Sequence, residues 1–185
     1  MTTFDDLGLA EPILRAVAAE GYSHPTPIQA QGIPAVLTGR DLVGIAQTGT
    51  GKTAAFVLPI LHRLAEENRR PAEKTAHALI VVPTRELAEQ IGDSIRNYSR
   101  HMRVTHAVVI GGANPRTQAA KLARGVDIIV ATPGRLLDHM NARVVSLTMV
   151  RQVVLDEADQ MLDMGFIPAI RQIMAKVSAE RQTLL

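Results

Sequence analysis

Apolar residues along this chain fall into short blocks, and the stretches between them have helical periodicity. The blocks are Leu42-Val43, Leu79 to Val82, Val108 to Ile110, Ile128 to Val130, Val153 to Leu155 and Thr183-Leu184-Leu185. A strand with one wet face alternates apolar and polar positions, whereas a strand covered on both faces is apolar throughout. These blocks do not alternate, which predicts a central parallel sheet. Leu87, Ile91 and Ile95, and later Phe166, Ile170, Ile173 and Val177, recur at the spacing of an amphipathic helix. Ahead of the first block, Leu9, Ile13, Leu14 and Val17 share one helical face, followed by the turn-prone Gly21 to Pro27. Alternation of strand and helix predicts a doubly wound α/β sandwich with its ligand crevice at the carboxyl ends of the strands. Glu66 to Thr75, containing Arg69-Arg70-Pro71, reads as a solvated loop.

Composition narrows the function classes. With 185 residues, 46% hydrophobic and 21% charged, the chain is sized for one domain. Residues 1–40 read as an N-terminal extension of that domain and 41–185 as its main body. Twenty Lys plus Arg against eighteen Asp plus Glu leave a net charge of +2, so any grip on nucleic acid must be local. The absence of cysteine excludes disulfide scaffolds and thiolate metal sites. The acidic Met1 to Asp6 lacks a secretory pattern, and no apolar run reaches the roughly eighteen residues of a membrane span. A soluble cytoplasmic protein with no membrane contact is expected. The six histidines form no zinc-like pattern, so no protein-held transition metal is expected.

Ala46-Gln47-Thr48-Gly49-Thr50-Gly51-Lys52-Thr53 carries the clearest chemistry. It follows the block Leu42 to Ile45 and opens a helix bearing Ala55, Phe56 and Leu58. A glycine loop between strand and helix wraps phosphates with backbone N–H groups. Its lysine reaches the β- and γ-phosphates, and its Thr hydroxyl faces Mg²⁺. Ala46 stands where the usual pattern has glycine, so the match rests on Gly51-Lys52-Thr53 and on the strand–helix context. About a hundred residues later Val153-Val154-Leu155 runs into Asp156-Glu157-Ala158-Asp159. Phosphoryl hydrolysis needs one carboxylate for hydrated Mg²⁺, here Asp156, and one to orient water, here Glu157. These acids would also suit the start of the helix that follows.

The phosphate loop and Asp-Glu-Ala-Asp together resemble the DEAD-box ATP-dependent RNA helicases, and the resemblance covers nearly the whole chain. It is similar in particular to bacterial members such as the RhlE-like group. The resemblance implies a RecA-like P-loop fold and the cofactors ATP and Mg²⁺. Gly21-Tyr22 and Pro25-Thr26-Pro27-Ile28-Gln29 resemble the family's Q motif, with Gln29 on the adenine edge, Tyr22 stacking and Thr26 nearby; Phe4 matches an upstream aromatic that supports this site. Pro83-Thr84-Arg85, Gly111-Gly112 and Thr132-Pro133-Gly134-Arg135 resemble the loops that hold single-stranded RNA by its backbone, independently of sequence. Taken singly, Thr84 and Thr132 would be helix caps, Gly111-Gly112 a turn, and Arg85 and Arg135 solvated charges. Asp159 is implied in coupling to a second RecA-like domain.

That second domain, which completes the ATPase and helicase machinery in the family, is not in this chain. Adenine-nucleotide binding with little or no unwinding is therefore expected of the chain by itself. A DNA-directed P-loop translocase and a non-catalytic RNA-binding module remain the alternatives.

Overall fold

The apolar blocks become the strands of one parallel sheet in the computed structural model, which describes residues 1–185. The strands are β1 (Ala76–Val81), β2 (His106–Val109), β3 (Val126–Ala131), β4 (Gln152–Leu155) and β5 (Gln182–Leu184), in the spatial order β2-β3-β1-β4-β5. Every pairing is parallel, with Ile80 opposite both Val130 and Val154. The helices are α1 (Glu11–Ala19), α2 (Pro27–Leu37), α3 (Lys52–Glu67), α4 (Arg85–Tyr98), α5 (Pro115–Ala123), α6 (Pro133–Asn141), α7 (Ala158–Asp163) and α8 (Ile167–Met174). No helix is long and apolar enough to cross a membrane.

Alternate residues of the central strands feed two separate cores, and that is why those strands are apolar throughout. Ala78, Ile80, Ile128 and Val154 pack against α1 to α4, while Leu79, Val81, Ile129 and Val153 pack against α5 to α8. Each fully buried Leu, Ile or Val contributes roughly 1.5–3 kcal/mol in transfer free energy. Phe4, Leu7, Ile13, Val17, Ile33 and Val36 belong to the first of these cores, so the N-terminal segment packs on the same face as α3 and α4.

Two expectations are corrected at the sheet edges. The block Leu42-Val43 forms no full strand: Leu42 makes a single parallel bridge to Leu184, and Gly44 N–H donates to the Leu185 carbonyl at 2.8 Å. No strand lies beyond it, so Val43 and Ile45 point outward and are 67% and 95% exposed. At the opposite edge β2 alternates after all, with His106 and Val108 half-buried between the buried Ala107 and Val109. The segment Gly21 to Pro27 is only partly a turn, because Pro27 occupies the first position of α2. A proline there loses no hydrogen bond and has a φ already suited to a helix.

α2 is tied to the sheet by one buried side chain that the hydrophobic pattern does not reveal. Gln182, 3% exposed, donates from Nε2 to the carbonyls of Val36 (2.9 Å) and Arg40 (2.6 Å). Its Oε1 accepts from Gln152 Nε2 at 3.3 Å. A Leu at 182 would keep the volume but leave these buried partners unsatisfied. Gln182→Leu is expected to cost about 2–3 kcal/mol, which lowers Tm by about 4–12 °C in a thermal melt of a chain this size.

Candidate functional site

Strand order sets two clusters of loops side by side along the carboxyl edge of the sheet. The loop before α3 and the end of β4 lie on one side, and the loops that leave β1, β3 and β2 lie on the other.

On the first side, Ala46 to Gly51 turns sharply into α3. Gly49 and Gly51 have φ of +83° and +82°, and Thr50 Oγ1 donates to the Gln47 carbonyl at 2.6 Å. No backbone N–H from Thr48 to Ala54 has an acceptor within the protein. A run of unsatisfied donors at the positive end of a sixteen-residue helix is an anion receptor. Lys52 and Thr53, the first two residues of α3, are half-buried beside it.

Gln29 holds this loop from behind. Its Nε2 donates to the Gly51 carbonyl at 3.0 Å, and its Oε1 accepts from Thr26 N–H at 3.0 Å. The expected adenine reader is therefore 5% exposed and makes these two bonds inside the protein, with one N–H and one lone pair still unspent. Thr26 Oγ1 beside it is buried without a hydrogen-bond partner. A Cβ at Gly51 would collide with the Gln29 amide, so this position combines a positive φ with a close backbone approach. Tyr22 is 46% exposed at the neighbouring turn. Behind it, burial pushes the Tyr98 hydroxyl well above the ordinary tyrosine range, with Tyr22 and Glu20 adding to the effect. Phe4 is 5% exposed, with its ring in the hydrophobic core.

The acidic motif closes the site from the sheet side. Asp156 N–H donates to the Val81 carbonyl at 3.0 Å, which fixes Asp156 where β4 ends. Lys52 Nζ lies 3.6 Å from Asp156 Oδ1 and 3.6 Å from Glu157 Oε1, so the two carboxylates share one ammonium. Glu157 adopts the left-handed conformation (φ 57°, ψ 45°), an uncommon state for a residue with a side chain, and its N–H donates to Asp156 Oδ1 at 3.1 Å. Burial pushes the Asp156 carboxyl above its ordinary value of 3.8, and Lys52 pulls it part of the way back. The cleft that Lys52 and Asp156 line holds about 40 Å³. No cluster of three His, Asp or Glu side chains could hold a metal unaided. The donor set does suit Mg²⁺, which binds through one or two carboxylates together with phosphate oxygens and water. Asp159, exposed on α7, makes no ion pair or hydrogen bond through its side chain.

The loops on the other side converge through their arginines. The Arg85 guanidinium lies against Gly111 and Gly112, where a Cβ at either position would crowd it, and Gly112 has φ +80°. Thr84 caps α4 by accepting from Leu87 N–H at 3.2 Å, which leaves its own hydroxyl proton free. Pro83, Thr132 and Pro133 are buried, whereas Arg85, Gly112 and Gly134 are exposed. Arg135 Nη1 donates to the Ala113 carbonyl (2.9 Å) and to Gln118 Oε1 (3.2 Å).

Gln118 and His139 support this face, and the motif reading missed both. Gln118 Nε2 donates to the Ile110 carbonyl at 2.8 Å, so its Oε1 must be the acceptor. The contact of that oxygen with His139 Nε2 at 3.0 Å then requires the proton on Nε2. Burial, aided by Arg135, lowers the His139 pKa and keeps the ring neutral. The available signal was positional: Gln118 with Leu122, and His139 with Leu136, occupy the buried stripes of their helices.

Two outcomes test this geometry. Gly51→Ala is expected to weaken Mg-ADP binding about tenfold or more in a calorimetric titration, since the left-handed penalty is about 1–2 kcal/mol before the clash is counted. Asp156 carries the opposite sign from a stabilising carboxylate. Its folded pKa is raised, so the folded state binds more protons and stability falls as pH climbs above 3.8. Asp156→Asn is expected to raise Tm at neutral pH and to remove this decline, as read from melts over a pH series.

Comparison with known proteins gives the family. The family model described as DEAD/DEAH box helicase matches residues 26–185. The chain is 46% identical over 185 residues to DEAD-box ATP-dependent RNA helicase 30 of Arabidopsis thaliana, covering all of this chain and 31% of that protein. It is 48% identical over 185 residues to ATP-dependent RNA helicase DeaD of Escherichia coli (strain K12), covering 29% of that protein. To ATP-dependent RNA helicase CshA of Listeria monocytogenes it is 47% identical over 187 residues, covering 35% of that protein. The chain thus spans about a third of the length of these relatives. Plant and bacterial relatives match almost equally, which singles out no subgroup. With its phosphate loop, acidic motif and parallel sheet, the chain belongs to the DEAD/DEAH box helicase family.

Proposed function

We propose that this chain is the nucleotide- and RNA-binding RecA-like domain of an ATP-dependent RNA helicase, one that couples ATP hydrolysis to local unwinding of RNA duplexes in the cytoplasm. One observation carries the proposal. The run of unsatisfied N–H groups from Thr48 to Ala54 opens beside the Lys52–Asp156–Glu157 cluster, on the same sheet edge as the Arg85 and Arg135 loops.

In this reading Ala46 to Gly51 wrap the phosphates, and Lys52 leaves the two carboxylates to take up phosphate charge instead. Thr53 and Asp156 would hold Mg²⁺, which when bound supplies charge neutralisation at the phosphate oxygens. Glu157 orients the attacking water, its carboxylate aimed by the left-handed backbone at 157. Gln29 offers its spare N–H and lone pair to the adenine edge, Tyr22 offers an exposed ring, and Thr26 offers its unpartnered hydroxyl. Phe4 acts from the core by fixing the segment that carries them. Pro83 to Arg85, Gly111-Gly112 and Thr132 to Arg135 grip the RNA backbone without reading bases. Asp159 couples the site to a second RecA-like domain, which provides the remaining transition-state contacts.

Titration with Mg-ADP and Mg-GDP tests this directly. ADP is expected to bind more tightly than GDP. Lys52→Ala should weaken ADP binding about tenfold to a hundredfold, because hydrogen bonds to charged groups are worth about 1.5–3 kcal/mol. Gln29→Ala should bring ADP and GDP affinities together; equal affinities in the unmodified chain would refute the adenine reading. RNA-duplex unwinding by this chain alone is expected to be undetectable, since it spans about a third of the length of the helicases it is similar to.

A further inference from the structure

The net charge of +2 conceals an uneven distribution of arginine. A groove of about 760 Å³ lies at the amino ends of β1, β2 and β3, opposite the loops already described. Arg69 and Arg70 enter it from the segment before β1, Arg103 from the segment before β2 and Arg124 from the segment before β3. All four are exposed, and none of their guanidinium groups has an ion pair or hydrogen bond within the protein. Elsewhere exposed arginines are mixed: Arg15 pairs with Glu11, Arg96 with Asp93 and Arg151 with Glu180, whereas Arg85, Arg116, Arg143 and Arg171 stand singly without a partner. What sets the groove apart is four such guanidinium groups around one concavity. The only acid lining the groove is Asp127, and it is committed: Oδ2 accepts from Thr105 N–H at 2.8 Å and from Thr105 Oγ1 at 2.9 Å. His77 lies 3.9 Å from its Oδ1. Four unpaired guanidinium groups around one concavity repel each other and raise the local positive potential, an arrangement the fold does not need for stability.

We propose that this groove is a second RNA site, holding the sugar–phosphate backbone without base readout at the amino ends of the three strands whose carboxyl ends carry the first site. The inference rests on the RNA reading of the chain. Arginine forks suit phosphate oxygens, and their origin in three separate segments spreads donors along the groove as successive phosphates require. Asn68 adds a neutral polar group, and no Phe, Tyr or Trp lines the groove, so it lacks the large stacking platform of a base-reading site. The six residues of β3 separate the two sites by about 20 Å, so a short oligonucleotide fills one site while a longer strand reaches both.

The test is fluorescence anisotropy of labelled single-stranded RNA, short and long, across a salt series with the 185-residue chain. The variants are Arg69→Gln/Arg70→Gln/Arg103→Gln/Arg124→Gln in the groove and Arg85→Gln at the first site. The groove variant is expected to lose about tenfold or more in affinity for the long RNA. Its plot of log affinity against log salt should flatten by about 0.7 for each phosphate contact removed. Its Mg-ADP affinity and Tm should match those of the unmodified chain. Unchanged affinity and slope in the groove variant, with loss in Arg85→Gln, overturns the groove and leaves the RNA reading intact. No RNA affinity in the unmodified chain overturns both. Displacement of RNA from the groove by polyglutamate as effectively as by unlabelled RNA overturns the assignment in favour of an acidic protein segment.

Discussion

The contact between Gln29 and the Gly51 carbonyl is the joint on which the site depends. A phosphate loop must keep its N–H groups unpaired, so its own backbone cannot hold it in place; something else has to. Here a buried amide behind the loop does so, and it is fixed in turn by Thr26 N–H. The same helix is anchored at its other end by Gln182, which reaches from β5 to the carbonyls of Val36 and Arg40. Sheet edge, α2 and phosphate loop therefore form one mechanically continuous path. Glycine at 51 is what allows the amide to approach so closely.

The second constraint is electrostatic. Asp156 and Glu157 sit at adjacent positions where β4 emerges, one of them buried, and an ammonium shared between them is what the protein alone can offer. Burial disfavours the Asp156 charge, so the acid is held at a cost to stability. Such a cost persists where function requires the charge, and the left-handed backbone of Glu157 has the same character.

Much of this was legible in the sequence, for identifiable reasons. β1, β3 and β4 are covered on both faces, and continuous apolar runs declare that directly. Leu42 to Ile45 has the same apolar look but lies at an open edge, where pattern alone cannot separate a buried strand from a bridge with exposed Val43 and Ile45. α2 is hidden because Pro25 and Pro27 belong to a turn-prone stretch, although Pro27 begins the helix. The phosphate loop and acidic motif were readable from local spacing. Gln118, His139 and Gln182 were not, because their partners are carbonyls and side chains distant in sequence, and only packing brings them together. The arginine groove was hidden for a related reason: its members come from three segments, and the net charge averages them away.

Amide hydrogen exchange with and without Mg-ADP tests the central claim, that Gln29, the phosphate loop and the acidic motif form a single nucleotide site. Joint slowing of exchange in peptides covering residues 26–29, 48–54 and 156–157, with none around residues 101–105, is the predicted result. Protection confined to the phosphate loop, or appearing at the opposite end of the sheet, would contradict it.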